Sequence, residues 1–131
     1  MHYNRLIGLV VLVNLALLAY GVTMGGWWTS SGIDLAALSN LVLANLSLTI
    51  LIRQQYVINL LFRIATSAPT SWPLSIRWLL GKVYHFGGLH VGGALAGTLW
   101  YAAFVGALAF HVANGLPGVS VSILGVTSAV L

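Results

Sequence analysis

The stretch YHFGGLHVGGALAG, from Tyr84 to Gly97, decides the fold because it places two histidines and five glycines at the start of an apolar helix. An ionisable side chain within a candidate membrane span marks a functional site by default. Glycines at this density indicate that a second helix or a cofactor presses against the backbone. The stretch therefore predicts a close-packed membrane helix with a candidate site at its beginning.

The composition indicates a membrane protein. Of the 131 residues, 60% are hydrophobic and 5% are charged, whereas about a quarter of the residues in a soluble domain are charged. The sequence has no cysteine, so it offers neither a disulfide nor a thiolate site. Its five Lys and Arg residues are too few for a nucleic-acid interface. The expected partner is a lipid bilayer.

Apolar segments divide the chain into four candidate spans, at residues 6–24, 33–52, 88–112 and 119–131. The first three reach the length of about 20 residues that a span needs, whereas the fourth is too short. The first is interpreted as a retained helix because no convincing small-residue cleavage site ends it. We predict an all-α polytopic bundle, a single transmembrane domain over residues 1–131 with three full spans and a partial fourth. Further transmembrane helices or a partner subunit are expected to complete it.

The basic residues predict the orientation. One of them precedes the first span and the others lie between the second and the third: Arg5, then Arg53, Arg63, Arg77 and Lys82. Both groups fall on one membrane face, and Asp34 lies toward the other. Because Lys and Arg are enriched in cytoplasmic loops, the N-terminus is expected to be cytoplasmic.

The segment 53–82 is expected to form two interfacial helices. Apolar residues recur at helical spacing in its first half, Pro69 ends that helix, and Pro73 opens the next. Two interpretations stay open for this segment. It is either a docking surface for a cytoplasmic domain or an anionic ligand, or an ordinary interfacial linker.

Three histidines are the candidate cofactor ligands. On one helix, His85 and His90 point about 140° apart, so they cannot share one small metal ion. His111 lies about 31 Å beyond His90, near the opposite surface. Neutral imidazole is the axial ligand of b-type haem, which makes His90 and His85 the candidate iron ligands and His111 a further cofactor-binding candidate. The alternative is that the histidines bond neighbouring helices and the glycines pack helices.

The other intramembrane polar groups predict structure rather than catalysis. Asn14, Asn40 and Asn45 are expected to form interhelical hydrogen bonds. The single acidic residue, Asp34, lies at the edge of the second span. A proton- or cation-coupled transporter normally needs a carboxylate deeper in the membrane, so that class is disfavoured. No catalytic nucleophile or acid–base pair is predicted in this chain.

The run SWPLSIRWLLGKVYHFGGLHVGGALAGTLW (Ser71 to Trp100), preceded by RQQYVINLLFRIATSAPT (Arg53 to Thr70), resembles ferric-reductase-like transmembrane oxidoreductases of the TmpA kind. The resemblance implies that the chain is the N-terminal part of their membrane domain. It also implies FAD and NAD(P)H on cytoplasmic domains outside this chain. Ferric reductases proper pair each haem histidine with a second one along the helix, whereas Leu99 and Phe104 stand at those positions here.

The function expected from this resemblance is the membrane portion of a flavin-linked, ferric-reductase-like oxidoreductase that passes electrons within or across the bilayer. Any chemistry would then belong to a cofactor or to other domains. The alternative is a non-catalytic membrane anchor or scaffold subunit that packs helices in a larger complex. Whether the chain is part of an enzyme stays open at this point.

Overall fold

The structure is a computed structural model that describes residues 2–29 and 31–130. The described part of the chain is mostly helical, and its α-helices are α1 His2–Thr23, α2 Leu35–Arg53, α3 Gln55–Thr66, α4 Leu74–Leu80, α5 Gly87–Ala113 and α6 Val121–Ser128. A short 3₁₀ helix, Val83–Phe86, leads into α5. By length and composition, α1, α2 and α5 are apolar enough to cross a membrane.

The structure departs from the all-α expectation in two places. After α1, β1 (Trp28–Thr29) and β2 (Gly32–Ile33) pair antiparallel. Gly26 and Gly32 have positive φ angles of 59° and 154°, which let the chain reverse at no steric cost. The expected partial span 119–131 forms a helix of only 8 residues, α6, so the strictly all-α description with a partial fourth span is too simple.

Local signals explain where the helices begin and end. Asp34 caps α2, because its carboxylate accepts a hydrogen bond of 2.9 Å from the Ala37 amide. The Ser120 hydroxyl accepts one of 3.3 Å from the Ile123 amide at the start of α6. Between α3 and α4, Pro69 and Pro73 interrupt the helical backbone. The two-helix expectation for this connecting segment agrees with α3 and α4.

Helix α5 lies at the centre of the bundle and packs against both α1 and α2. A β-carbon placed on Gly88 would lie 2.5 Å from the Tyr3 carbonyl oxygen of α1, and one on Gly93 would lie 2.7 Å from the Thr49 hydroxyl of α2. Gly92 likewise meets α1 and Gly97 meets α2. We call these four glycines the glycine seam. Of the two explanations for these glycines, helix packing accounts for them.

An amide cluster joins the three long helices inside the bundle. The Asn45 Nδ2 donates to Asn14 Oδ1 at 2.9 Å, and the Asn14 Nδ2 donates back to Asn45 Oδ1 at 3.1 Å. The Trp100 indole N–H donates to the same Asn14 oxygen at 2.8 Å. The expectation of interhelical bonds is confirmed for Asn14 and Asn45, whereas Asn40 is exposed. Beside the cluster lies the apolar core around the fully buried Leu38.

Candidate functional site

The site lies where α1 begins, α2 ends and α5 begins, together with α3, α4 and the 3₁₀ helix. We call this the basic end, because it holds all of the lysine and arginine side chains, namely Arg5, Arg53, Arg63, Arg77 and Lys82. Two clefts open between its elements, with volumes of about 330 and 310 Å³. These volumes are at the lower end of the range found for small-molecule pockets.

The larger opening, the basic cleft, lies between α1, α3, α4 and the 3₁₀ helix. Its polar rim consists of His2, Arg5, Lys82 and His85. Its remaining walls are aliphatic or aromatic: Leu6, Leu61, Ile64, Ala65, Leu79, Leu80, Val83 and Phe86. The cleft therefore combines a cationic edge with an apolar interior.

The Lys82 ammonium is held by neutral groups. Its Nζ lies 2.7 Å from His2 Nε2, to which the ammonium donates when that nitrogen is unprotonated. It also lies over the Trp78 ring, 2.8 Å from the centroid, in a cation–π arrangement. Desolvation, and to a lesser degree the charge of Arg5, lower the pKa of Lys82. The cation is thus less well stabilised here than in water.

The second opening, the His90 cleft, adjoins the first along Leu61, Val83 and Phe86. The His90 Nδ1 lies 2.9 Å from the Thr49 carbonyl oxygen of α2. Since a carbonyl only accepts, Nδ1 carries the proton, and in the neutral ring Nε2 is then the acceptor. The α2–α5 contact thus fixes the tautomer of His90.

His111 lies at the opposite end of the bundle and is buried. Its Nε2 is 3.0 Å from the Ile33 carbonyl oxygen and 3.1 Å from the Ile33 amide nitrogen. The ring therefore joins the last turns of α5 to β2, just before α2 begins. This placement is that of a histidine bonded to a neighbouring segment.

The three candidate histidines thus occupy three separate places. His85 lines the basic cleft, His90 lines the His90 cleft, and His111 lies at the far end of the bundle. Within residues 2–29 and 31–130, no group of three or more His, Cys, Asp or Glu side chains could hold a metal ion. Coordination of haem iron by His85 and His90 stays a prediction, as does cofactor binding at His111.

Sequence reasoning missed His2 as a member of the site. Its ring makes edge contacts with Trp78 and His85, at centroid distances of 6.1 and 5.5 Å. The signal was present in the charge pattern, because the positive-inside rule places the beginning of the first span beside Lys82. The charge pattern did not predict that α1 begins at His2, whereas the first span was expected to begin at residue 6.

The sequence matches no family model, and it matches no solved structure. Two curated proteins of Coprinopsis cinerea are similar to it, one 36% identical over 113 residues and the other 36% identical over 102 residues. Both are named adenylate-forming reductases. These alignments cover 86% and 78% of this chain but only 10% and 9% of the two relatives. The chain therefore spans about a tenth of the length of the curated relatives it matches.

These relatives correct the expected family and function. The assignment to ferric-reductase-like transmembrane oxidoreductases of the TmpA kind is wrong, because the relatives are named adenylate-forming reductases. The predicted function, as the membrane portion of a flavin-linked ferric reductase, is wrong for the same reason. Their names give no support to the alternative of a non-catalytic anchor or scaffold subunit, nor to haem, electron transport or a membrane location.

Proposed function

We propose that this chain is a membrane-inserted, three-helix segment of an adenylate-forming reductase and that its basic end faces the cytoplasm. The observation that carries the proposal is the 36% identity to two such reductases over most of this chain. The length and apolar character of α1, α2 and α5 support the membrane setting. The proposed partners are a lipid bilayer and the remaining parts of such a reductase.

The name of the relatives defines the chemistry that the whole protein would perform. Adenylate formation joins a carboxylate oxygen to the α-phosphorus of ATP and releases pyrophosphate. Reduction of the resulting acyl group then needs a hydride donor and releases AMP. Among the described residues, the basic end offers cations and imidazoles but no carboxylate. The proposed contribution of this segment is therefore to present the two clefts of its basic end to the rest of the enzyme.

The orientation rests on the positions of the charges. All five Lys and Arg residues lie at the basic end, whereas Asp34 lies at the other. Because the sequence has no cysteine, single cysteines can be introduced without a background. In intact cells, a membrane-impermeant maleimide should label Ser31→Cys at once and Ser75→Cys only after permeabilisation. The reverse pattern would overturn the orientation, and release of the protein by alkaline carbonate would overturn the membrane setting.

The enzymatic part is tested on the intact natural protein that carries this segment. Membranes that contain it should catalyse carboxylic-acid-dependent exchange between ATP and pyrophosphate, and acid-dependent oxidation of NADPH or NADH. Intact protein with neither activity across a panel of aromatic, amino and fatty acids would overturn the proposal.

A further inference from the structure

The basic cleft has the two features that an amphiphilic ligand requires. Arg5 and Lys82 are among the residues that line it, beside aliphatic side chains and Phe86. Arginine forms forked, charge-assisted hydrogen bonds with carboxylates, and lysine adds a point charge. Apolar side chains such as Leu61 and Leu79 would remove a hydrocarbon chain from water, which favours binding.

The protein supplies no anion for these cations within the described residues. The sequence has one acidic side chain, Asp34. It lies at the far end of the bundle, where it caps α2. The neighbours of Lys82 are a histidine ring and an indole ring. Desolvation and the nearby Arg5 lower its pKa, and a bound anion would offset both effects.

The size of the cleft selects among anionic amphiphiles. A volume of about 330 Å³ suits one small head and part of one hydrocarbon chain. A phospholipid with two acyl chains would leave at least one chain outside. The adjoining His90 cleft shares Leu61, Val83 and Phe86 with it, so these side chains form a wall common to the two clefts.

We propose that the basic cleft binds a single-chain carboxylate, such as a long-chain fatty acid, with its head between Arg5 and Lys82 and its tail along Leu61 and Phe86. The choice of a carboxylate head rests on the proposed function, because adenylate formation begins with a carboxylic acid. Such a molecule partitions into a bilayer with its head at the surface, which is where the basic end would lie. The cleft would collect the acid from the membrane for the enzyme.

The test measures binding of radiolabelled hexadecanoate to the intact chain in nanodiscs of neutral phosphatidylcholine. Arg5→Gln and Lys82→Gln should each weaken binding about tenfold or more, because each removes a charge-assisted hydrogen bond to the carboxylate. The matched control is Arg63→Gln, which removes one positive charge from an exposed site outside the cleft. It should leave the affinity unchanged. Hexadecanol, which lacks the charge, should bind at least tenfold more weakly than hexadecanoate.

Three results would overturn the proposal. The first is equal affinity for hexadecanoate and hexadecanol, and the second is equal weakening by Arg63→Gln and Arg5→Gln. The third is displacement of hexadecanoate by phosphatidylglycerol at equimolar concentration, which would assign the cleft to acidic membrane lipids. If Arg5→Gln does not fold, Arg5→Lys takes its place and should keep binding within a few-fold, since it retains the charge.

A second variant tests the path of the tail. Phe86→Ala removes a wall that the two clefts share, so it should shift the chain-length preference toward longer acids. An unchanged preference would contradict the placement of the tail. These binding measurements do not require adenylate formation or a membrane orientation. Their failure is therefore distinguishable from failure of the proposed function, which the exchange and labelling experiments test.

Discussion

The glycine seam and the basic cleft adjoin each other at the start of α5, yet one excludes every side chain and the other leaves room for a ligand. Along the seam, Gly88 lets α1 approach α5 and Gly93 lets α2 approach α5, so closely that a single methyl group at either position would collide with the neighbouring helix. A few residues earlier, His85 and Phe86 line open space. One short stretch of sequence therefore serves two purposes, since its glycines close the bundle and its histidines lie beside the gaps.

The largest effect is expected when the seam is filled. Gly93→Leu should destabilise the fold by about 3 kcal/mol or more, because overpacking a tight contact forces the helices apart. Gly106→Leu is the matched control, since no described atom outside its two chain neighbours and its own helical backbone lies within 4 Å of its β-carbon position. Unfolding in mixed micelles measures both variants. Equal stability of the two would show that the seam is not closely packed.

The amide cluster should give the next largest effect. Asn14→Ala removes the acceptor of the Trp100 indole and of the Asn45 amide, which leaves two buried donors without that partner. We expect a loss of about 1–3 kcal/mol in the same unfolding measurement. Asn40→Ala, at an exposed position on α2, should change stability by less than about 0.5 kcal/mol. A comparable loss in both variants would contradict the role given to the cluster.

Two histidines allow the stability of a closely packed position to be compared with that of a position lining the basic cleft. His111→Leu should cost about 1 kcal/mol, because its ring bonds the Ile33 backbone at a buried position. His85→Ala, at a partly buried position beside the His2 ring, should cost less than His111→Leu. The opposite order of the two losses would mean that His85 supports the fold and that His111 does not.

The smallest effect concerns the charge state of Lys82, the only lysine in the sequence. Its reductively ¹³C-methylated amine should titrate in NMR below the pKa of a methylated lysine peptide, and Arg5→Gln should raise that value. Because the pKa of Lys82 is lowered in the folded state, the protonated amine destabilises the fold at neutral pH. This destabilisation is lost as the pH rises from the folded-state pKa toward the unfolded-state pKa. A wild-type pKa equal to that of the peptide would contradict the desolvation of Lys82 and the effect of Arg5.

Much of the fold was predictable because apolar length and charge placement are local signals. The ranges 33–52 and 88–112 lie close to α2 and α5. The seam was also visible as glycine spacing, but the spacing cannot say which neighbour each glycine meets. That depends on the rotation of α5 between two other helices, which places Gly88 toward α1 and Gly93 toward α2.

The site was harder to predict for a related reason. The five-residue spacing predicted different partners for His85 and His90 on the assumption that both lie on one helix. The structure places His85 in the 3₁₀ helix and His90 in α5, where they line two different clefts. The partners themselves are distant in sequence, namely His2 for the first and the Thr49 carbonyl for the second. The family resemblance misled because it rested on short motifs in the middle of the chain, whereas the alignments with the two adenylate-forming reductases cover 86% and 78% of it.

The reciprocal bonds between Asn14 and Asn45 have a consequence for the order of assembly. Each amide accepts from and donates to the other, so this pair links α1 to α2, although both helices pack mainly against α5. The remaining lone pair on the Asn14 oxygen receives the Trp100 indole of α5. In the proposed bilayer that indole has no water to bond, so it favours the depth and rotation of α5 that bring it to this acceptor. The final step of assembly thus joins a polar contact in the middle of the bundle to the close packing of the glycine seam.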